Sequence, residues 1–224
     1  MFMTYGDNGV DITGIFMMQL FNYIGLGYNY QNGAKPEAAL SPDQLQRRVV
    51  EKPSYVTYMG YVNFLPACLV GPVYEYSDYD NYLHRRGDYV SIPSPLGAVL
   101  REGAVFVGSL LVYFATAHFH LERVTWPEFD EYNYFYKLFY MVVCITHIEL
   151  KYITAWSLGL MSMKASGITY NPSKNVVNKD NSISYNFSKV EVTNLRGFYI
   201  NPSFKVKGDS WNMSTQVALK RYIY

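Results

Sequence analysis

At 224 residues, 50% hydrophobic and 17% charged, the chain has the bulk of one ordinary globular domain. Its net charge is only +1, and its two cysteines, Cys68 and Cys144, sit inside apolar runs. That excludes a disulfide framework and a cysteine zinc site, and gives no reason to expect a nucleic-acid partner. Mean hydropathy is −0.07, but the 23 tyrosines lower it, and tyrosine is at home where a membrane meets water.

Residues 1–9 carry no basic stretch, so no signal peptide is expected there. Residues 12–30 read as a first membrane span, with Asp11 before it and Gly25 and Gly27 available for close approach of a neighbouring helix. A polar connection follows over 31–53; in it Ser41 caps and Pro42 starts a short helix, and Arg47, Arg48 and Lys52 are expected near lipid headgroups. Residues 54–73 form a second apolar run, kinked at Pro66 and again at Gly71-Pro72. The run from Tyr74 to Tyr82 alternates tyrosine with acids and amides, as an interfacial belt does. His84, beside Arg85 and Arg86, reads as headgroup-facing.

A third span is expected over 103–121, outside Arg101 and Glu102, then an acidic loop over 122–133. Residues 134–163 are apolar except at His147, Glu149 and Lys151, and would reach nearly 45 Å as one tilted helix, or would divide into two. Residues 164–208 have the Asn, Ser and Lys content of a basic loop. The last stretch, 209–224, reads as a helix capped by Asp209 or Ser210, with Asn212 in its first turn and Lys220 and Arg221 at its end. From 164 to 224 there are nine Lys or Arg against three Asp or Glu, and before it ten against fifteen, so the tail is cationic and suits anionic headgroups or a phosphate-bearing cosubstrate. The charge rules leave the topology open.

Ionisable groups within apolar runs are the natural functional candidates. His147 and Lys151, four apart, share a helical face that could line a tunnel, and Glu149 points elsewhere. The plainer reading is that Lys151 snorkels to an interface and Glu149 pairs with a neighbouring helix. His118 and His120 read as interfacial, and the acids Asp78, Asp80, Asp130 and Glu131 as solvated. There is no glycine-rich phosphate loop, metal-ligand set or nucleophile elbow.

Several words of the sequence resemble the membrane-bound O-acyltransferases, specifically their lysophospholipid acyltransferase branch. Trp211-Asn212-Met213-Ser214-Thr215 with Leu219-Lys220 is similar to that branch's Trp-Asn-x-x-Thr-x-x-Trp-Leu-(Lys/Arg) signature, with Ala218 where Trp is usual. Asp11-Ile12-Thr13-Gly14, Phe64-Leu65-Pro66 through Gly71-Pro72 with Glu75-Tyr76 and Asp78-Tyr79, Lys151-Tyr152 with Trp156-Ser157, and Ser166-Gly167-Ile168-Thr169-Tyr170 resemble further words of the branch. The resemblance implies an all-α, multi-span transmembrane bundle occupying residues 1–224 as part of a larger domain. It further implies transfer of a fatty acyl group from acyl-CoA, a cosubstrate rather than a bound cofactor, to a lysophospholipid hydroxyl, in the endoplasmic reticulum. Asn212 takes the catalytic role by this likeness, with Trp211, Thr215, Lys151, Trp156 and His147 as substrate-binding candidates and no metal. The family's partner His lies further along than Tyr224, so the chain is expected to be the middle of a longer acyltransferase, inactive by itself. The rival readings are a non-catalytic membrane protein or subunit descended from the family, and a transporter-like helical bundle with His147, Glu149 and Lys151 on one polar path.

Overall fold

A computed structural model describes residues 13–69 and 71–224. Asp11, Ile12 and Val70, and with them parts of two of the family-like words, lie outside the described residues. Helix α1 (Thr13–Gly33) is followed by α2 (Pro42–Arg47), α3 (Tyr55–Val62), α4 (Tyr76–Leu83), α5 (Leu96–Ala115), α6 (Pro127–Asp130) and α7 (Tyr134–Ser166). A two-residue antiparallel ribbon, β1 (Val176–Val177) against β2 (Ile183–Ser184), precedes α8 (Leu195–Tyr199), α9 (Phe204–Asp209) and α10 (Met213–Tyr222). The described chain is therefore mostly helical, as expected. Local chemistry sets several boundaries: Ser41 and Gln44 form a reciprocal capping box on α2, Ser54 caps α3, Asn133 caps α7, and Gly167 closes α7 at φ 88°.

Helices α5 and α7 form an apolar hairpin. Three polar links join them: Lys164 Nζ to Glu102 Oε2 at 2.6 Å, Thr154 Oγ1 to Ser109 Oγ at 2.9 Å, and Thr116 Oγ1 to His147 Nδ1 at 2.9 Å. Glu102, Ser109 and Thr116, the last of them the residue that closes α5, are seven apart, which keeps them on one face toward the partner helix. The outer faces stay exposed, with Leu100, Leu111 and Phe114 on α5 and Phe135, Phe139 and Val142 on α7. Among the described residues these two helices are long and apolar enough to cross a membrane, and bare apolar faces flanking a polar seam are stable where the solvent is hydrocarbon.

Beside the hairpin lies an aromatic body built around Tyr61, Val62, Tyr74, Tyr76, Tyr79, Met163 and Ile168. A buried phenol must satisfy its hydroxyl. Tyr61 donates to the Tyr74 carbonyl at 3.0 Å and Tyr74 donates back to the Tyr61 carbonyl, while Tyr89 donates to the Ile168 carbonyl at 2.9 Å and Tyr82 to that of Ser166 at 3.0 Å. The last two bonds tie the aromatic body to the chain leaving α7. Burial pushes the Tyr76 phenol up to about 12.

Two of the expected spans correspond to long apolar helices among the described residues, and the other two take different forms. In 54–73 the helix stops at Val62, because Asn63 turns its amide back onto the Met59 carbonyl at 3.0 Å and Pro66 can donate no backbone hydrogen bond. Phe64 and Tyr74 then stack against Tyr79 in the aromatic body, and Gly71-Pro72 is a cis peptide. The stretch expected at 103–121 is instead the helix Leu96–Ala115, and Arg101 and Glu102 lie within it; Lys164 pairs with Glu102, so that acid no longer marks a boundary. Helix α1 has the length of a span, but Asn22, Asn29 and Asn32 are buried along it, which fits a face packed on polar protein. Residues 134–163 belong to one helix that runs on to Ser166. The expected basic loop contains the ribbon and two short helices.

Helix α7 crosses the turn at Gly71 closely: a Cβ on Gly159 would lie 2.5 Å from the Gly71 carbonyl oxygen. Gly159→Val is expected to lower stability by about 1–3 kcal/mol through overpacking, read as a lowered melting temperature in detergent. Gly108→Ala, where a Cβ meets open space, is expected to leave the melt unchanged or raise it by about 0.5–1 kcal/mol.

Candidate functional site

Asn212 occupies an elbow between two helices. The expected caps are not caps of its helix: Asp209 ends α9 and Ser210 is the residue after it, so α10 begins only at Met213. Tertiary contacts impose the break. Ser210 is buried against Gly197, where a Cβ would come within 2.2 Å of its hydroxyl, and the Asn194 amide donates to the Ser210 carbonyl at 2.9 Å. Met213 N–H donates to the Val192 carbonyl at 2.7 Å, and the Gln216 amide donates back to the carbonyls of Gly208 and Trp211. So held, Asn212 adopts a left-handed conformation (φ 47°, ψ 49°), which asparagine tolerates better than most residues.

It stands at the N-cap position of α10, yet its side chain makes no capping hydrogen bond. The residue is half-buried. Asparagine at such a place ordinarily turns inward to satisfy the backbone. Here its two donors and one acceptor remain for something else.

One side of the elbow is aromatic. Trp211 meets Trp156 edge-on with ring centres 4.9 Å apart, Phe198 at 4.8 Å and Tyr152 at 6.3 Å. Glu149 accepts a hydrogen bond from Tyr199 at 3.1 Å. Glu149, Tyr152 and Trp156 recur at three- and four-residue spacing, one face of α7. His147 lies on the opposite face, bonded to Thr116 and stacked on Tyr113 with ring centres 4.4 Å apart. The structure thus gathers Trp211 and Trp156 next to Asn212, with Thr215 half-buried in the first turn of α10. It does not gather His147, which belongs to the hairpin seam, or Lys151, which is exposed. His147 and Glu149 face opposite ways, so the three charged positions do not line one polar path. Phe198 and Gln216 were missed, since nothing in their neighbourhood announces a contact made only after folding.

Among the described residues no group of three or more His, Cys, Asp or Glu is arranged to hold a metal. The far end of α10 is anchored by charge. Glu75 accepts from Tyr222 at 2.5 Å, from Arg221 at 2.8 Å and from Asn29 at 3.2 Å, with Arg47 Nε 3.9 Å away. Arg47, expected near headgroups, is instead 6% exposed, because it is drawn in between Glu75 and Asp43. Burial and the Glu75 carboxylate raise the Tyr222 phenol above its ordinary value, while the Arg47 guanidinium lowers Asp43. A polar cavity of about 530 Å³ lies beside this cluster, lined among others by Arg47, Glu75, Ser214 and Arg221.

Comparison with known proteins gives a consistent result. Residues 1–224 match the membrane-bound O-acyltransferase family, MBOAT. Lysophospholipid acyltransferase 2 of Arabidopsis thaliana is 25% identical over 97% of this chain and 47% of its own length. Lysophospholipid acyltransferase of Schizosaccharomyces pombe is 27% identical over 98% of this chain and 44% of its own, as is membrane-bound glycerophospholipid O-acyltransferase 2 of Mus musculus. The chain spans about half the length of the curated relatives it matches.

Glu75→Gln weakens the acceptor shared by Arg221 and Tyr222 while Asp43 still pairs with Arg47, and is expected to cost about 1.5–3 kcal/mol. Arg48→Gln, which breaks only the solvent-side pair with Glu37, is expected to cost less than about 1 kcal/mol; denaturant melts of both variants check this. Because folding raises the Tyr222 pKa, its contribution is complete below the ordinary phenol range and fades as pH rises above about 10. Tyr222→Phe is therefore expected to flatten the alkaline limb of a stability-against-pH curve.

Proposed function

This chain belongs to the membrane-bound O-acyltransferase family, and on that premise we propose that it supplies the asparagine-bearing part of a site that moves a fatty acyl group from acyl-CoA to the free hydroxyl of a lysophospholipid. The observation that carries the reading is Asn212, an amide left without a capping bond in an elbow beside the Trp156 and Trp211 rings. In the reaction the hydroxyl oxygen forms an ester bond to the thioester carbonyl carbon, the carbon–sulfur bond breaks, and coenzyme A leaves as the thiol. Negative charge grows on the carbonyl oxygen along the way, and an amide N–H aimed at it stabilises that charge without having to reorganise. The aromatic rings offer an apolar wall for the acyl or glyceryl portion and keep water from the thioester.

An alcohol at neutral pH is a weak nucleophile and needs a base to take its proton. His147 is a poor choice, being held in the seam between α5 and α7 on the far face of α7 from Trp156. The base is assigned to a segment outside these residues, in the part of the relatives' length that this chain does not cover, and this chain alone is expected not to turn over. The endoplasmic reticulum, where the resemblance puts the family, is the proposed site of action.

The test uses the full-length protein in membranes, with acyl-CoA and a panel of lysophospholipids. Asn212→Ala is expected to lower turnover about 100- to 1,000-fold, the usual loss of one oxyanion-stabilising donor, while stability falls by only about 1–2 kcal/mol, the cost of alanine in the left-handed conformation. His147→Ala is expected to keep most of the turnover. Normal turnover in Asn212→Ala would overturn the assignment.

A further inference from the structure

On the face of α1 turned away from α10 there is a second cavity, of about 660 Å³, between α1 and the chain entering α3. That volume lies within the range of small-ligand sites, about 300–1,000 Å³. It is lined by Tyr23, Tyr30, Tyr55 and Tyr58, with Gly27 and Lys52 among them. Positions 23, 27 and 30 recur at helical spacing and share one face of α1. Gly25, Tyr28 and Asn29, which meet Tyr222 of α10, occupy the other. The cavity is therefore separate from the elbow that carries Asn212.

Two features say what would fill it. A Cβ on Gly27 would touch nothing within 4 Å, so the groove has an open floor where a helix would ordinarily present a side chain. Lys52 is exposed and makes no ion pair among the described residues, and Glu51, its sequence neighbour, does not line the cavity. A tyrosine-walled groove lined by one unopposed ammonium is complementary to an amphiphile with a negative head. In a membrane protein, tyrosine rings of this kind sit at headgroup level, where such amphiphiles are abundant.

We propose that this groove binds an anionic phospholipid of the surrounding bilayer, one acyl chain lying over Gly27 between the tyrosine rings and the headgroup phosphate held by Lys52. The tyrosine hydroxyls supply further donors to the phosphate ester. A quaternary amine is disfavoured at the same place, because Lys52 opposes the attraction that aromatic faces exert on cations.

Native mass spectrometry of the full-length protein in detergent tests this, titrating phosphatidylglycerol against phosphatidylcholine with the same acyl chains. Wild type is expected to retain phosphatidylglycerol about fivefold better, as one lysine near an anionic headgroup provides. Lys52→Gln is expected to abolish that preference, and Gly27→Leu, which fills the floor, to lower retention of both lipids several-fold, whereas Gly27→Ala should retain them. Equal retention of the two lipids by wild type, or a preference that survives Lys52→Gln, overturns the proposal. So does a wild type that takes up no lipid but dimerises through Gly27, which would make the groove a contact between copies. Lys52 is exposed, so its variant decides the question even where Gly27→Leu fails to fold.

Discussion

Glu75 is the point at which distant parts of the chain are fastened together. Its carboxylate takes hydrogen bonds from Asn29 on α1, Arg221 and Tyr222 on α10, and lies close to Arg47 at the end of α2. A buried guanidinium is tolerable only with a matched anion. Glu75 and Asp43 provide it, and in doing so fix where α10 ends. The other end of α10 is fixed by Met213 and Gln216. With both ends held, the left-handed residue between α9 and α10 has one place to be, and that residue is Asn212.

Two kinds of packing meet at α7. One face joins α5 through widely spaced polar pairs, an arrangement suited to a medium that gives apolar side chains no reason to associate. The other face, with Trp156, Gly159 and Met163, carries the aromatic body and the elbow. The helix thus holds the candidate site against an apolar hairpin. This explains why the site needs α7 to be continuous: a break near His147 to Lys151 would separate the hairpin seam from the aromatic wall only a turn or two away.

Legibility in the sequence followed the range of the forces involved. Ser41 caps its helix through an atom three residues away and so announced itself; Ser54 and Asn133 cap by the same short-range bond. Asp209 and Ser210 carry the same signal, but Gly197 and Asn194, far back in the chain, recruit Ser210 to a different task and move the helix start to Met213. Pro66 was legible as a perturbation, while its consequence, a helix that stops at Val62 rather than kinking, depended on Phe64 and Tyr74 finding Tyr79. Arg47 looked like a headgroup residue because nothing nearby in sequence shows that Glu75 will sit over it.

By itself, the sequence determined the mostly helical class, the two apolar helices, and the family through short words such as Trp211-Asn212, because periodicity, hydropathy and local wording are properties of neighbouring residues. Only the tertiary structure decided that the helix of 54–73 ends at Val62, that His147 is bonded into the seam between α5 and α7, and that Asn212 is an uncapped residue at an elbow rather than part of a helical turn. Those outcomes rest on ring stacking, buried charge pairing and close backbone approach between segments far apart in the chain, and such contacts exist only once the fold has brought them together.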